Sequence, residues 1–241
     1  MALIKTIAIF SVVGLPMILI VPMGLLIFIL SSLGLKKRMD LVVYKIAQFW
    51  SLLLIGLTGC KLTVLGRENI PPRGGICFVS NHGSIFDIIL LLAYAGRPIG
   101  FIAKKELALI PFLNIWILLI GGLFIDRNTV RKAVGTIQAG VERIRAGGAM
   151  IIFPEGHRSK GQGLLPFHPG SFKLATRAEA PIVPVAITGS YEVFEKTHRV
   201  CALPVRVIFG KSIITVEIPP EERRRTLSDQ VRKVISEALE S

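Results

Sequence analysis

The chain has 241 residues, 51% of them hydrophobic, with 29 Lys and Arg against 16 Asp and Glu and a formal net charge of +13. That basic balance calls for an anionic partner; aromatic residues at 7%, with no stacking motif among the basic ones, weigh against nucleic acid and for a membrane surface or a phosphorylated substrate. Cys60, Cys77 and Cys201 are odd in number, far apart and without metal-ligand spacing, which fits reduced thiols in a cytosol-facing domain and indicates no zinc site.

Between Lys5 and Lys36 the chain carries 30 uncharged residues. As a helix they would reach about 45 Å, against a hydrocarbon core of about 30 Å. Pro16 and Pro22 beside Gly14 and Gly24 would bend such a helix, which fits a tilted or re-entrant element. Lys36-Lys37-Arg38 then precedes a second apolar segment, Leu41 to Leu57, interrupted at three-residue spacing by Lys45, Gln48 and Ser51, a stripe that predicts one face of an interfacial helix. Keeping the basic cluster on the cytoplasmic side favours a two-helix anchor over residues 1–58 that dips into one leaflet, with a single outward-starting span as the alternative.

Residues 59–241 suffice for one α/β domain with its own core. Apolar runs predict strands at 61–65, 75–80, 98–103, 121–125, 149–153, 182–187, 205–209 and 213–218, and amphipathic patterns predict helices at 84–95, 129–146, 171–179 and 227–239. Leu107 to Ile125 is also uncharged, but Pro111, Asn114 and Gly121-Gly122 divide it into a short buried helix from Phe112 to Leu119 and a core strand. The expected fold is α/β, a mainly parallel sheet flanked by helices, preceded by the anchor. Four of these strands deliver polar residues at their carboxyl ends, where ligands bind in open α/β sheets: Asn81-His82, Asp126-Arg127, Pro154-Glu155-Gly156-His157-Arg158 and Thr188-Gly189-Ser190. His82 and Asp87, five apart just after a strand, suit a general base and its orienting carboxylate.

The ordered blocks His82-Gly83-Ser84-Ile85-Phe86-Asp87, Phe124-Ile125-Asp126-Arg127, Phe153-Pro154-Glu155-Gly156-His157-Arg158-Ser159 and Val183-Pro184-Val185-Ala186-Ile187 resemble those of the glycerolipid acyltransferase family, most closely its 1-acylglycerol-3-phosphate acyltransferases. His157 departs from the Thr usual in that family, and His168-Pro169 from a common basic pair. The resemblance implies transfer of an acyl chain from acyl-CoA or acyl carrier protein to lysophosphatidic acid, with no cofactor and no metal. It implies His82 as base and Asp87 as its orienter. Arg127 and Arg158 would hold the substrate phosphate, helped by Lys104 and Lys105. Glu155 would anchor an Arg or a glycerol hydroxyl, and Gly156 would let backbone approach the ligand. Backbone N–H groups flanking Ser84 would steady the developing oxyanion. His157 and His168 are expected at the solvent side.

The expected partners are therefore lysophosphatidic acid, the acyl thioester and membrane lipid, and no nucleic acid. The expected place is the inner membrane or another cytoplasm-facing membrane, with the catalytic domain on the cytoplasmic side. Other readings are acylation of a different lysolipid or of glycerol 3-phosphate and, from other classes, a lipid hydrolase or a non-catalytic anionic-lipid binder.

Overall fold

The structure is a computed structural model, and it describes residues 7, 22–27, 29–126, 128–219 and 223–240. Seven strands form one sheet: β1 (Lys61–Leu65), β2 (Ile76–Ser80), β3 (Ile99–Lys104), β4 (Leu123–Ile125), β5 (Ala149–Ile152), β6 (Ile182–Thr188) and β7 (Pro204–Phe209). Their spatial order is β1-β7-β6-β2-β5-β3-β4. Every pairing is parallel except β6 with β7, so β6, β2, β5, β3 and β4 all end at one edge.

Both faces of the sheet are covered, and the two-residue period divides the core accordingly. Ile76 and Phe78 of β2 join the cluster on one face, with α1 (Lys36–Thr58), α2 (Phe86–Tyr94) and α3 (Leu113–Leu119) above it. Cys77 and Val79 point the other way, towards α4 (Val130–Arg145), α5 (Lys173–Ala178) and α7 (Arg223–Glu240). A short helix, α6 (Ser190–Val193), follows β6 at the polar edge. Burial pushes the Cys77 thiol up to about 12, so it packs as a small inert side chain.

The run 213–218 is not a strand. Val185 to Thr188 of β6 already pair with β7, which leaves Ile182 to make a single bridge with Ile213. Thr215 then turns inward, its hydroxyl donating to the Ala180 carbonyl, and Thr215–Glu217 form a 3-10 turn. The predicted strand at 121–125 also begins later, because Gly122 N–H closes on the Ile117 carbonyl at the end of α3.

The first anchor helix falls largely outside the described residues. Residues 22–27 and 29–30 are helical, and a kink at Leu33 and Gly34 (φ 86°) leads into α1. Gly24 packs against α3, where an added Cβ would lie 3.4 Å from Ile115 and 3.5 Å from Leu119. The polar stripe predicted for α1 is divided: Lys45 is exposed, while Gln48 and Ser51 turn towards the domain. Ser51 is buried with Val43, Tyr44, Ala47 and Ile55 on the face that packs on α2, and Gln48 Nε2 donates to the Ala93 carbonyl at 2.9 Å. Gln48 sits on the docking face because its amide meets a backbone acceptor of α2, whereas Lys45 stays at the surface and reaches Gln48 Oε1 at 3.3 Å. The opposite face carries Leu41, Val42, Phe49 and Leu52 outward, and Ser31–Thr58 is long and apolar enough to cross a membrane. The helix expected at 112–119 is only half buried: Ile117 points in, while Phe112 and Leu118 lie outside beside Leu109 and Ile110.

Candidate active site

β2 leaves the sheet between β5 and β6, and its exit is fixed before His82 is reached. The Asn81 side-chain amide acts as one more ladder residue, accepting from Ile187 N–H at 2.8 Å and donating to Ile187 O at 2.9 Å. His82 is then gripped at both backbone groups by the segment after β5: its N–H donates to Glu155 Oε1 at 2.6 Å and its carbonyl accepts from Ser159 N–H at 2.7 Å. The imidazole stacks on Phe153 at 3.9 Å between centroids and 17° between planes. The backbone bonds place residue 82, and the stacking and the ring's own hydrogen bond orient the imidazole.

That bond runs from His82 Nδ1 to Asp87 Oδ2, at 2.9 Å. The same oxygen accepts Gly83 N–H at 2.8 Å and Ser84 N–H at 2.9 Å. Asp87 is fully buried in the first turn of α2, and its Oδ1 has no partner among the described residues. An acceptor of this kind assigns the proton to Nδ1 and the free lone pair to Nε2, the arrangement a general base requires.

The arrangement that fixes the base also removes the donors expected for an oxyanion. Gly83 and Ser84 N–H are spent on Asp87, Ile85 N–H donates to Glu195 Oε1 at 2.7 Å, and Phe86 N–H donates to Ser84 Oγ. The turn around Ser84 is saturated by side chains.

Glu155 does not anchor an Arg. It is buried, and its two oxygens accept backbone N–H groups, His82 at Oε1 and Leu165 at Oε2 (3.1 Å). A carboxylate pinned between two segments 73 and 10 residues away in sequence sets backbone position. Burial pushes the Glu155 carboxyl above its ordinary range, against the lowering effect of the His82 and Leu165 N–H groups. Native protein therefore binds this proton more readily than unfolded chain, and Glu155 makes stability fall as pH rises from the ordinary carboxylate range through the raised native value. Glu155→Gln, which does not titrate but turns an NH₂ towards one of the two N–H donors, should cost about 1–3 kcal/mol. In denaturant titrations across a pH series, the wild-type advantage over Glu155→Gln should shrink as pH rises, and a difference independent of pH would rule out the shifted carboxyl.

Arg158 instead pairs with Glu195, Nη1 to Oε2 at 2.8 Å, and its side chain is 40% exposed. Lys105 is also engaged: its ammonium lies 3.0 Å from Asp126 Oδ1 and holds that carboxyl below its ordinary range. Lys104 is exposed and has no ion pair among the described residues. Arg127 lies outside the described residues. Gly156 has φ 75°, a left-handed conformation that a side chain would strain, within the turn that carries Glu155 to His82. His157 and His168 are exposed, with His157 Nδ1 3.0 Å from the Glu155 carbonyl. Among the described residues no cluster of His, Cys, Asp and Glu has a metal-binding arrangement.

Two participants have no local sequence signal. Glu195, at the end of β6 and α6, joins the site only through contacts 37, 110 and 111 residues away in sequence. Phe153 reads as the last residue of an apolar strand and turns out to be the floor under the imidazole.

A model of the family described as Acyltransferase matches residues 61–188. The 1-acyl-sn-glycerol-3-phosphate acyltransferase of Borreliella burgdorferi is 32% identical over 140 residues, 58% of this chain and 56% of that protein, so the match spans little more than half of that relative. The protein of the same name from Escherichia coli K12 is 31% identical over 182 residues, 75% of this chain and 71% of that one. Among solved structures, the 1-acyl-sn-glycerophosphate (LPA) acyltransferase PlsC of Thermotoga maritima superposes with a TM-score of 0.83 at 26% identity, over 99% of this chain and 95% of that chain.

Proposed function

The chain belongs to the Acyltransferase family, and from that premise we propose that it acylates the free sn-2 hydroxyl of lysophosphatidic acid to give phosphatidic acid. The observation that carries the reading is the single oxygen of Asp87 holding His82 Nδ1–H and two backbone N–H groups, which leaves Nε2 as a proton acceptor at the ligand-binding edge of the sheet. His82 Nε2 takes the proton of the hydroxyl as its oxygen attacks the thioester carbonyl. The C–S bond breaks, and the imidazolium returns the proton to the departing thiolate, whether of coenzyme A or of acyl carrier protein. The transfer is direct, without a covalent enzyme intermediate: Ser84 Oγ is engaged with Glu195 at 2.9 Å, and no G-x-S-x-G elbow surrounds Ser84 or Ser159.

Arg158, with Arg127 and Lys104, holds the acceptor phosphate. The outward apolar face of α1 with Leu109, Ile110 and Leu118 keeps the crevice against the bilayer from which the acceptor enters, on the cytoplasmic side where the thioester is soluble. The test crosses acyl-CoA and acyl carrier protein thioesters with lysophosphatidic acid, glycerol 3-phosphate and neutral lysolipids. Turnover should be greatest with lysophosphatidic acid, and fatty acid should not be released when the acceptor is omitted. Release without acceptor would make the protein a hydrolase, and turnover favouring a neutral lysolipid would refute the phosphate reading.

A further inference from the structure

Glu195 belongs to no motif in the sequence, yet its carboxylate joins two parts of the site. Oε1 accepts from Ser84 Oγ at 2.9 Å and from Ile85 N–H at 2.7 Å, and Oε2 accepts from Arg158 Nη1 at 2.8 Å. The Glu195 side chain is 15% exposed against 40% for Arg158, so the carboxylate is the inner partner and the guanidinium the outer one. Burial by itself would raise the Glu195 carboxyl, but Ile85 N–H, the Ser84 hydroxyl and Arg158 together hold it below its ordinary range, and it stays charged at neutral pH.

A guanidinium has five N–H donors in one rigid plane. Glu195 takes one of them and leaves the others for a second anion. A long exposed side chain without such a partner would have to be ordered at each binding event, and that cost subtracts from affinity. The reference against which Arg158 is held also matters. Ser84 and Ile85 are in the turn whose Gly83 and Ser84 N–H groups donate to Asp87 Oδ2, the oxygen that holds the imidazole. One carboxylate thus registers the guanidinium to the base.

The geometry points to Glu195 as a positioning residue that presets Arg158 at a fixed place relative to His82, so that an acceptor gripped by its phosphate arrives with its hydroxyl at Nε2. Glu195 does not itself touch substrate. The inference rests on the reading of Arg158 as a contact for the acceptor phosphate, and it predicts that the effect of Glu195 is specific to the acceptor and passes through Arg158.

The experiment measures kcat and KM separately for lysophosphatidic acid and acyl-CoA, together with thermal midpoints, for the full chain and for Arg158→Ala, Glu195→Gln, Glu195→Asp and the Arg158→Ala/Glu195→Gln double variant. Arg158→Ala should raise the acceptor KM; if it does not, the phosphate reading fails and the role of Glu195 with it. Where it does, Glu195→Gln, which keeps an oxygen for Ser84 and Ile85 but loses the charge facing Arg158, should raise the acceptor KM about 10-fold and leave the donor KM within about twofold. It should add nothing in the Arg158→Ala background, as expected for two residues acting in one interaction. Glu195→Asp, which keeps the charge at shorter reach, should show a smaller change of the same kind and serves alone if the Gln variant does not fold. A Glu195 effect equally large without Arg158, or one that lowers kcat and alters donor KM while sparing acceptor KM, overturns the proposal and makes Glu195 a support of the turn only.

Discussion

His82→Ala should lower kcat by at least about 10²-fold, with little change in acceptor or donor KM and little loss of thermal stability. The backbone of residue 82 is held through its N–H by Glu155 and through its carbonyl by Ser159, and neither bond involves the imidazole. Asp87 Oδ2 retains Gly83 and Ser84 N–H as donors when the ring is removed, so the buried carboxylate is not stranded. The variant therefore isolates the proton acceptor from the scaffold around it. Folded, purified His82→Ala turning over at near wild-type rate would end the general-base mechanism.

The pairing of His82 with Asp87 was legible because both ends of it are local: an apolar run, a turn and the first turn of a helix fix a five-residue spacing without help from the rest of the chain. The convergence of four strand ends was legible for a related reason. A fully buried parallel strand reads as a continuous apolar run, and β2, β5 and β6 each do so up to the residue where the polar group emerges. What local pattern does not encode is which donor a carboxylate finds. Glu155 and Arg158 sit three apart in one block and invite pairing with each other, yet Glu155 turns inward to two backbone N–H groups and Arg158 reaches across to Glu195. The oxyanion expectation failed on the same count. A turn of N–H groups at the start of a helix looks available in sequence, and only the folded chain reveals that side chains from 2 to 110 residues away have taken them. The stripe on α1 shows the same limit, since spacing alone does not tell that Lys45 stays exposed while Gln48 finds a backbone carbonyl to meet.

Substitutions at Asp87 should separate its two duties, since holding the imidazole and holding the turn fall on the same oxygen. In Asp87→Asn the amide can present either atom there. Gly83 and Ser84 N–H both need an acceptor at that point, so the oxygen should remain in place, Nδ1–H should remain the donor, and Nε2 should remain free. The variant then loses the charge that stabilises the imidazolium and buries an NH₂ where Oδ1 has no partner among the described residues, so turnover should fall by about 10–10²-fold, less than in His82→Ala. Asp87→Ala provides no acceptor. It should lose about 10²–10⁴-fold in turnover, because nothing fixes the tautomer. It should also lose about 1–3 kcal/mol of stability for each backbone N–H left unpaired in the buried turn. Kinetics and denaturant midpoints on the two variants decide the matter. An Asn variant as inactive as His82→Ala would mean that the amide has reversed and protonated Nε2, while an Ala variant of normal stability would show that the Gly83–Ser84 turn does not depend on the Asp87 carboxylate.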